Sequence, residues 1–483
     1  VILRIFRFLV LAASFAALLV FGTPQTLIST KPVQLEKQLI SAKDLEITCS
    51  GPAVIAGGAS GTSVTEFKRV GKTTTSLSFA AAKDSKLEGY SKVPLIGYGI
   101  RQDLNKKITG LNTFTVVDSS GKATQGSAML TVNQLQLADN KKINGLLAAP
   151  CLRPQSEFWL IGGASAVGRE ALLVLNNPSA IDSTVDINIF TENGSSTSAG
   201  LSGISVPAGR TAFVPLSSFV LRAESIAVQA LSKGGAITAL IQQKAIRGTS
   251  ASGADFIAPA PKASLISYFP GILVRGSKDS GKFRAKSDKY SDLEQMLRVF
   301  VPGDKDAKIN LQVLGTNSET FGTVLSVTAS AGKVNDFDIS GLADGDYFGI
   351  LDSDVPVSSS IRLVRSKWGS GAYTDFAWIN PAEGFTNERF IAVPKAGISK
   401  LSITNPGDKP TTVTLLVGSV KVSRTISSGS TEVIRASSGL SIGIIPSAET
   451  VYANLVIDVD GRVSVLPVLD DKNISGHVEV SVH

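Results

Sequence analysis

Three stretches of the chain repeat one arrangement of apolar and polar positions. Residues 172–189 read LLVLNNPSAIDSTVDINI, residues 298–313 read RVFVPGDKDAKINLQV, and residues 401–417 read LSITNPGDKPTTVTLLV. In each, a short apolar run meets a proline corner, at Pro178, Pro302 or Pro406. Seven residues after the proline an alternating run begins: Val185, Ile187, Ile189; Ile309, Leu311, Val313; Val413, Leu415, Val417. Alternation sends successive side chains to opposite faces of a strand, so one face is buried and the other stays polar. Proline fixes its own φ and has no N–H to give a ladder, which stops the strand at the corner. The Gly, Ser and Asp residues beyond it complete a turn. A glycine turn follows in each unit, at Gly209, Gly332 and Gly429, which lie 31, 30 and 23 residues after the prolines.

These units predict a mostly β protein of tandem immunoglobulin-like β-sandwich domains. The first unit, about 157–246, includes SIAVQALSKGGAITALIQQ, read as a hairpin with Gly234-Gly235 near its tip. PLSSFVLR is read there as one helical turn. In the second unit, about 265–366, SSSIRLVRS is matched to SIAVQALS. In the third, about 374–470, Asp460-Gly461 reads as a two-residue hairpin turn. Residues 46–145 show short strands, clearest in LEITC and AMLTVNQLQL, with irregular stretches between them. The expected partition is a signal-anchor at 1–22, a stalk at 23–45, a β-rich region at 46–145, sandwiches at 146–264, 265–366 and 367–472, and a tail at 473–483.

The first residues change the picture most. Arg4 and Arg7 precede an apolar run from Phe8 to Phe21, broken only by Ser14. A run of that length behind positive charge reads as an N-terminal transmembrane helix whose start stays in the cytoplasm. GTPQTLIST offers no clean small-residue cleavage site, so an uncleaved single-pass anchor in the cell membrane is expected ahead of a secreted, cleaved form. Either way the bulk of the chain lies outside the cytoplasm, where a disulfide persists. The chain has two cysteines, Cys49 and Cys151, and they are expected to pair.

Composition supports strands over long helices. Charged residues are only 18% of the 483, and the net charge of +7 is a mild excess. The cationic run RGSKDSGKFRAKSDK, residues 275–289, reads as a solvated loop. It lacks interleaved aromatics, and with export this argues against a nucleic-acid partner.

Catalytic chemistry has little to work with. The two histidines, His477 and His483, are both in the tail, so a Ser-His-Asp triad has no base and a zinc site lacks ligands. No G-x-S-x-G elbow opens a helix, and the Gly-rich stretches lack the lysine of a phosphate loop. No cofactor or metal is expected. Carboxylates gather at Asp344, Asp346, Asp352 and Asp354, and again at Asp458 and Asp460. Such groups read first as turn residues, then as calcium ligands, then as a glycosidase pair. Trp159 and Trp378 each follow an acid-Phe pair and are taken to precede a unit's first strand, which suggests shared packing. Trp368, flanked by Gly and Ser, and Tyr373 are the candidate ligand platform.

The segment 145–194 carries Cys151, Trp159, Gly162-Gly163, Gly168-Arg169 and the Asn177-Pro178 corner, with Val206-Pro-Ala-Gly209 after it and DFIAPAPKA and YFPG beyond. Together these resemble an uncharacterised family of exported or membrane-anchored actinobacterial proteins, domain-of-unknown-function family 5719. The resemblance implies a place in the cell envelope, near cell-wall sugar metabolism, and brings no catalytic residues. The expected function is a non-enzymatic envelope protein that binds or scaffolds a partner outside the membrane. The alternatives are an accessory factor for cell-wall polysaccharide and a carboxylate-dependent glycoside hydrolase. The expected partners are the cytoplasmic membrane and an envelope polysaccharide or protein.

Overall fold

The computed structural model describes residues 37–39, 45–57, 66–80, 86–88, 102–117, 129–317, 322–469 and 477–479. The apolar segment expected to anchor the chain lies outside them. Among the described residues no helix is long and apolar enough to cross a membrane. Lys37–Leu39, from the expected stalk, pairs antiparallel with His477–Glu479 from the expected tail.

The rest is mostly β, and its sheets come in pairs that share one topology. The stretch after Cys151 forms one sheet in the order Glu157–Ile161, Ile226–Gly234, Ser183–Thr191, Gly194–Ser196, with Ile204–Val206 also on Ser183–Thr191. Its companion sheet runs Thr211–Pro215, Arg169–Asn176, Thr238–Arg247, Ser250–Ile257. The next stretch gives the same two orders: Ser264–Val274, Gly345–Lys367, Ala307–Gly315, Thr323–Ala329, and Val334–Asp338, Met296–Phe300, Gly345–Lys367, Tyr373–Ile379. The last stretch repeats them as Arg389–Ala392, Ser441–Pro446, Thr411–Val417, Val420–Ile426, and Ser430–Ala436, Ile398–Asn405, Tyr452–Val459, Arg462–Pro467.

Pro178, Pro302 and Pro406 occupy the same corner, where the chain leaves one sheet of a pair and enters the other. The alternation after each does what its period dictates: Val185, Ile187, Ile189, Ile309, Leu311, Val313, Val413 and Leu415 are all buried. Two corners are built alike in detail. Buried Asn177 donates to Ile181 O and accepts from Ser179 N; buried Asn405 donates to Lys409 O and accepts from Gly407 N. An asparagine before proline thus supplies the bonds that proline withholds.

The structure adds a copy that the proline corner did not mark. Residues 45–150 form the sheets Leu45–Cys49, Asn112–Val117, Lys86–Glu88, and Gln102–Ile108, Thr73–Ala80, Met129–Asp139, Asn144–Pro150. Their order matches the other three, so the described chain contains four copies of one topology. We number them one to four along the chain.

Several local expectations are corrected. Ile226–Gly234 and Thr238–Arg247 are not a hairpin, because Gly234-Gly235 carries the chain from one sheet to the other. In the third copy the same crossing is made without a turn by one 23-residue strand, Gly345–Lys367. SSSIRLVRS lies in its second half, against Met296–Phe300 and Tyr373–Ile379, and so corresponds to Thr238–Arg247. Trp378 sits in the last strand of the third copy, whereas Trp159 sits in the first strand of the second. Their shared acid-Phe-x context is therefore not a shared position. The cationic run is a helix, Ser277–Lys286, with Phe283 buried against Tyr290 and Trp368. Asp344 accepts from Gly276 N, Ser277 N and Ser277 Oγ, which satisfies the start of this helix from a distant loop. Two readings hold as made: Leu216–Ser218 is a single 3-10 turn, and Asp460-Gly461, with φ of 50° and 77°, joins a true hairpin.

The four copies close on one another. The last strand of each copy, Asn144–Pro150, Ser250–Ile257, Tyr373–Ile379 and Arg462–Pro467, lies against two of the others in that cyclic order. Each copy's core is completed by apolar side chains from the next. Phe376 and Trp378 enter the core of the second copy, Val463 and Val465 that of the third, and Leu146 and Ala148 that of the fourth. Ala254 and Phe256 pack with Leu147 and Ala149 of the first. The close approach needs Gly145: a Cβ there would stand 2.3 Å from Ala254 N and 2.9 Å from Asp375 Oδ1.

Cys49 and Cys151 are bonded, with Cα atoms 4.3 Å apart and a separation of 102 residues. The bond ties the first strand of the first copy to the residue after its last. Replacing both cysteines with serine is expected to lower stability by roughly 2–4 kcal/mol, because the unfolded chain regains the freedom of a long loop. Denaturant unfolding with and without reductant checks this, and a loss under about 0.5 kcal/mol would contradict it.

Candidate functional site

The most perturbed acids lie on the central axis. Asp375 is buried, and its carboxylate gathers donors from all three other copies. Oδ2 accepts from Leu146 N at 3.1 Å and Val463 N at 3.3 Å, and Oδ1 accepts from Ala254 N at 3.0 Å. Asp255, one tier away, takes donors from two other copies and reaches the remaining one through Ser464. It accepts from Trp378 N at 2.9 Å and Ser464 Oγ at 2.8 Å, while Ser464 Oγ accepts from Ala148 N at 3.2 Å. Each tier joins all four copies. The cause is geometric: four edge strands face one axis, and their N–H groups, lacking a ladder partner there, need acceptors. Burial pushes the Asp375 carboxyl up to about 7, against the pull of its N–H donors. Burial raises Asp255 as well, with Asp375 adding to the rise. These are the acids that a pKa criterion selects as catalytic, yet both are walled in and occupied by backbone.

A recess among the described residues is a cleft of about 930 Å³ between the second and third copies. Its walls come from the turn at Ala166–Glu170, the loop carrying Arg222, the turn around Gly248, and the segment Asp288–Met296. Arg169 and Arg247, on neighbouring strands, share one carboxylate, Asp292, each at 2.5 Å. Arg362 reaches the same cleft from the third copy and donates to Glu294 O at 3.2 Å. Burial lowers the Arg169 guanidinium to about 10, with Asp292 opposing and Arg247 and Arg362 adding to the fall. Beneath lies Arg298, fully buried, forked onto Asp336 with both bonds 2.7 Å and stacked 4.6 Å from the Trp378 ring.

A smaller recess of about 420 Å³ opens where the chain exits the central strands, beside Trp159, Pro259, Pro381 and Pro467. Trp159 stacks there on Phe190 and Phe300, with centroids 6.0 and 5.5 Å apart, as a packing residue would.

The residues singled out in the sequence are scattered. Trp368 is 37% exposed, edge-on to Phe283 at 4.7 Å and beneath Lys286 at 5.3 Å. Tyr373 is half-buried, with its phenol oxygen over Gly461: a Cβ on that glycine would come within 1.5 Å. The aspartates are spread among structural tasks. Asp346 bridges Arg275 at 3.0 Å and Lys400 at 2.8 Å, linking the third and fourth copies. Asp354 accepts from Lys308 N, and Asp458 pairs with Arg365 at 3.3 Å. Among the described residues no group of three or more His, Cys, Asp or Glu gathers as a metal site would require. Sequence reasoning missed the arginine cleft entirely. Its members lie far apart in the chain, and no local motif marks them.

Comparison with known families decides the kinship. A family model described as a family of unknown function, DUF5719, matches residues 113–437, more than half of the chain. The chain belongs to the DUF5719 family. The match runs from the Asn112–Val117 strand of the first copy through the Ser430–Ala436 strand of the fourth. No curated protein and no solved structure matches this DUF5719 protein.

Proposed function

We propose that this DUF5719 protein is a non-catalytic binding platform of the cell envelope, made of immunoglobulin-like sandwiches closed around an axis and held to the membrane by its N-terminal apolar segment. The observation that supports it is the employment of the two central acids. Asp255 and Asp375 serve as acceptors for N–H groups of other copies, and so they join the four sandwiches into one rigid body. A rigid body suits presentation of fixed surfaces, because little order is lost when a partner docks. The basic start of the chain, Arg4 and Arg7 ahead of the apolar run, supports placement of the platform outside the cytoplasm.

A second reading, an accessory factor for cell-wall polysaccharide, draws on Trp368. Its ring is the one tryptophan ring among the described residues with substantial exposure, held in place by Phe283 and Lys286. A fixed ring can stack on a pyranose without a charged group. Full-length protein is therefore expected to bind isolated cell-wall glycan without consuming it. Trp368→Ala should weaken that binding about fivefold, a loss of ~1 kcal/mol, with an unchanged melting temperature. Equal binding by the variant removes this surface. Glycan turnover abolished by changing Asp344, Asp346, Asp352 or Asp354 would replace the proposal with a hydrolase.

A further inference from the structure

The sheet that carries the alternating strand has a guarded outer edge in the second and fourth copies and a bare one in the third. In the second copy the strands outside Ser183–Thr191 are Gly194–Ser196 and Ile204–Val206, three residues each, parted by a 3-10 turn at Ala199–Leu201. In the fourth copy the outer strand, Val420–Ile426, carries exposed Lys421 and Arg424. Short strands and charged side chains are the devices that keep a sheet edge from pairing with another chain. The third copy has neither. Its outer strand, Thr323–Ala329, reads TVLSVTA, seven residues without charge, proline or glycine, four of them β-branched. That composition favours strand pairing. Among the described residues this strand pairs with Ala307–Gly315 alone, so alternate N–H and C=O groups along its far side have no ladder partner.

The side chains point the same way. Val324 is 66% exposed. Leu325 and Val327 are half-buried at the margin of the third copy's core, as is Phe337 on the facing sheet. The register of a self-pair is also restricted. Opposed residues in an antiparallel ladder both turn their N–H and C=O groups toward the partner strand or both turn them away, so two identical strands related by a two-fold axis must centre on a residue. Centred on Ser326, all seven residues pair. On the inner face the row Ile309, Val327 then runs on into the partner's Leu325 and Leu311, apolar throughout. On the outer face Asn310 and Ser326 meet the partner's Ser326 and Asn310, while Lys308 and Thr328 run on into the partner's Val324 and Gln312. No like charges are opposed, and Ser326 Oγ already donates to Asn310 Oδ1 at 3.3 Å within one copy of the chain.

We propose that Thr323–Ala329 is a dimer interface, at which two copies of this chain pair antiparallel about Ser326. The sheet Ser264–Val274, Gly345–Lys367, Ala307–Gly315, Thr323–Ala329 would continue without a break into its counterpart. Pairing would give the open N–H and C=O groups their ladder and cover Leu325 and Val327. The inference goes beyond the platform reading and does not depend on it, since it concerns an edge that neither the central axis nor Trp368 touches.

Sedimentation of the full chain in detergent over a concentration series tests this. A reversible dimer at micromolar protein is expected. Ser326→Lys sets two ammonium groups face to face at the two-fold axis and should weaken association about fivefold or more, with the melting temperature of the dilute chain unchanged. Ser423→Lys, on the guarded strand of the fourth copy, should leave association as it is. Ser326→Cys should give a disulfide-linked dimer on mild oxidation, because the two residues stand directly opposite each other. A wild-type chain that stays monomeric overturns the proposal. A dimer as tight in Ser326→Lys as in the wild type overturns it as well, and so does a Ser326→Cys chain that does not cross-link.

Discussion

Changing Asp375 to alanine should cost on the order of 3–5 kcal/mol, since three N–H groups from three other copies lose their acceptor inside a closed axis. Asp375→Asn keeps the volume but turns an NH₂ group toward donors, so it should recover only part of the loss. The pH dependence has a definite sign. The folded carboxyl sits at about 7, against about 3.9 for an unperturbed aspartate, so the folded state holds the extra proton between those values. Stability is therefore highest at the acid end of that window and declines as pH rises toward about 7, then levels off. Asp255, raised in the same direction, contributes to the same slope. Denaturant unfolding of wild type and Asp375→Asn between pH 4 and 7 measures both effects. A slope of opposite sign, or one unchanged in the variant, would count against a buried titrating carboxyl.

Arg298→Ala should produce a loss of similar size, again on the order of 3–5 kcal/mol. Arg298 is fully buried on a strand of the third copy and reaches into the second, donating to Gly163 O at 2.5 Å and Glu224 O at 3.0 Å. Its removal strands the Asp336 carboxylate and two carbonyls and leaves a void beside Trp378. Arg298→Lys keeps the charge but not the fork, so it should rescue little. Urea unfolding followed by tryptophan emission gives the value. A loss under about 1 kcal/mol in the alanine variant would show that the second and third copies are held by apolar contact instead.

The asymmetry between what could and could not be read in the chain has a simple origin. The proline corners, their alternating strands and the Asp460-Gly461 hairpin follow from rules that act over a few residues. Backbone φ, the missing N–H of proline and the two-residue period of a strand fix them wherever the chain goes. The cysteine pair was legible for a different reason: with two cysteines there is one pairing. The first copy was not recognised because it lacks the proline corner after Thr73–Ala80, although its strand order is the same. The second-half identity of SSSIRLVRS was missed because a strand crossing between sheets without a turn has no punctuation to read.

The amino-acid sequence alone thus determined a β protein of repeated units, the place of their corners and the disulfide. Only the tertiary structure decided that the units close around four inner strands, that Asp255 and Asp375 are their acceptors, and that Arg169 and Arg247 share Asp292 beside a cleft that Arg362 reaches from the third copy. The physical reason is distance along the chain. Asp375 meets Leu146 across 229 residues, and Arg298 meets Gly163 across 135. Edge strands must find partners for their N–H groups, and any acidic residue brought to the axis can serve. Nothing local in the sequence states which residue that is.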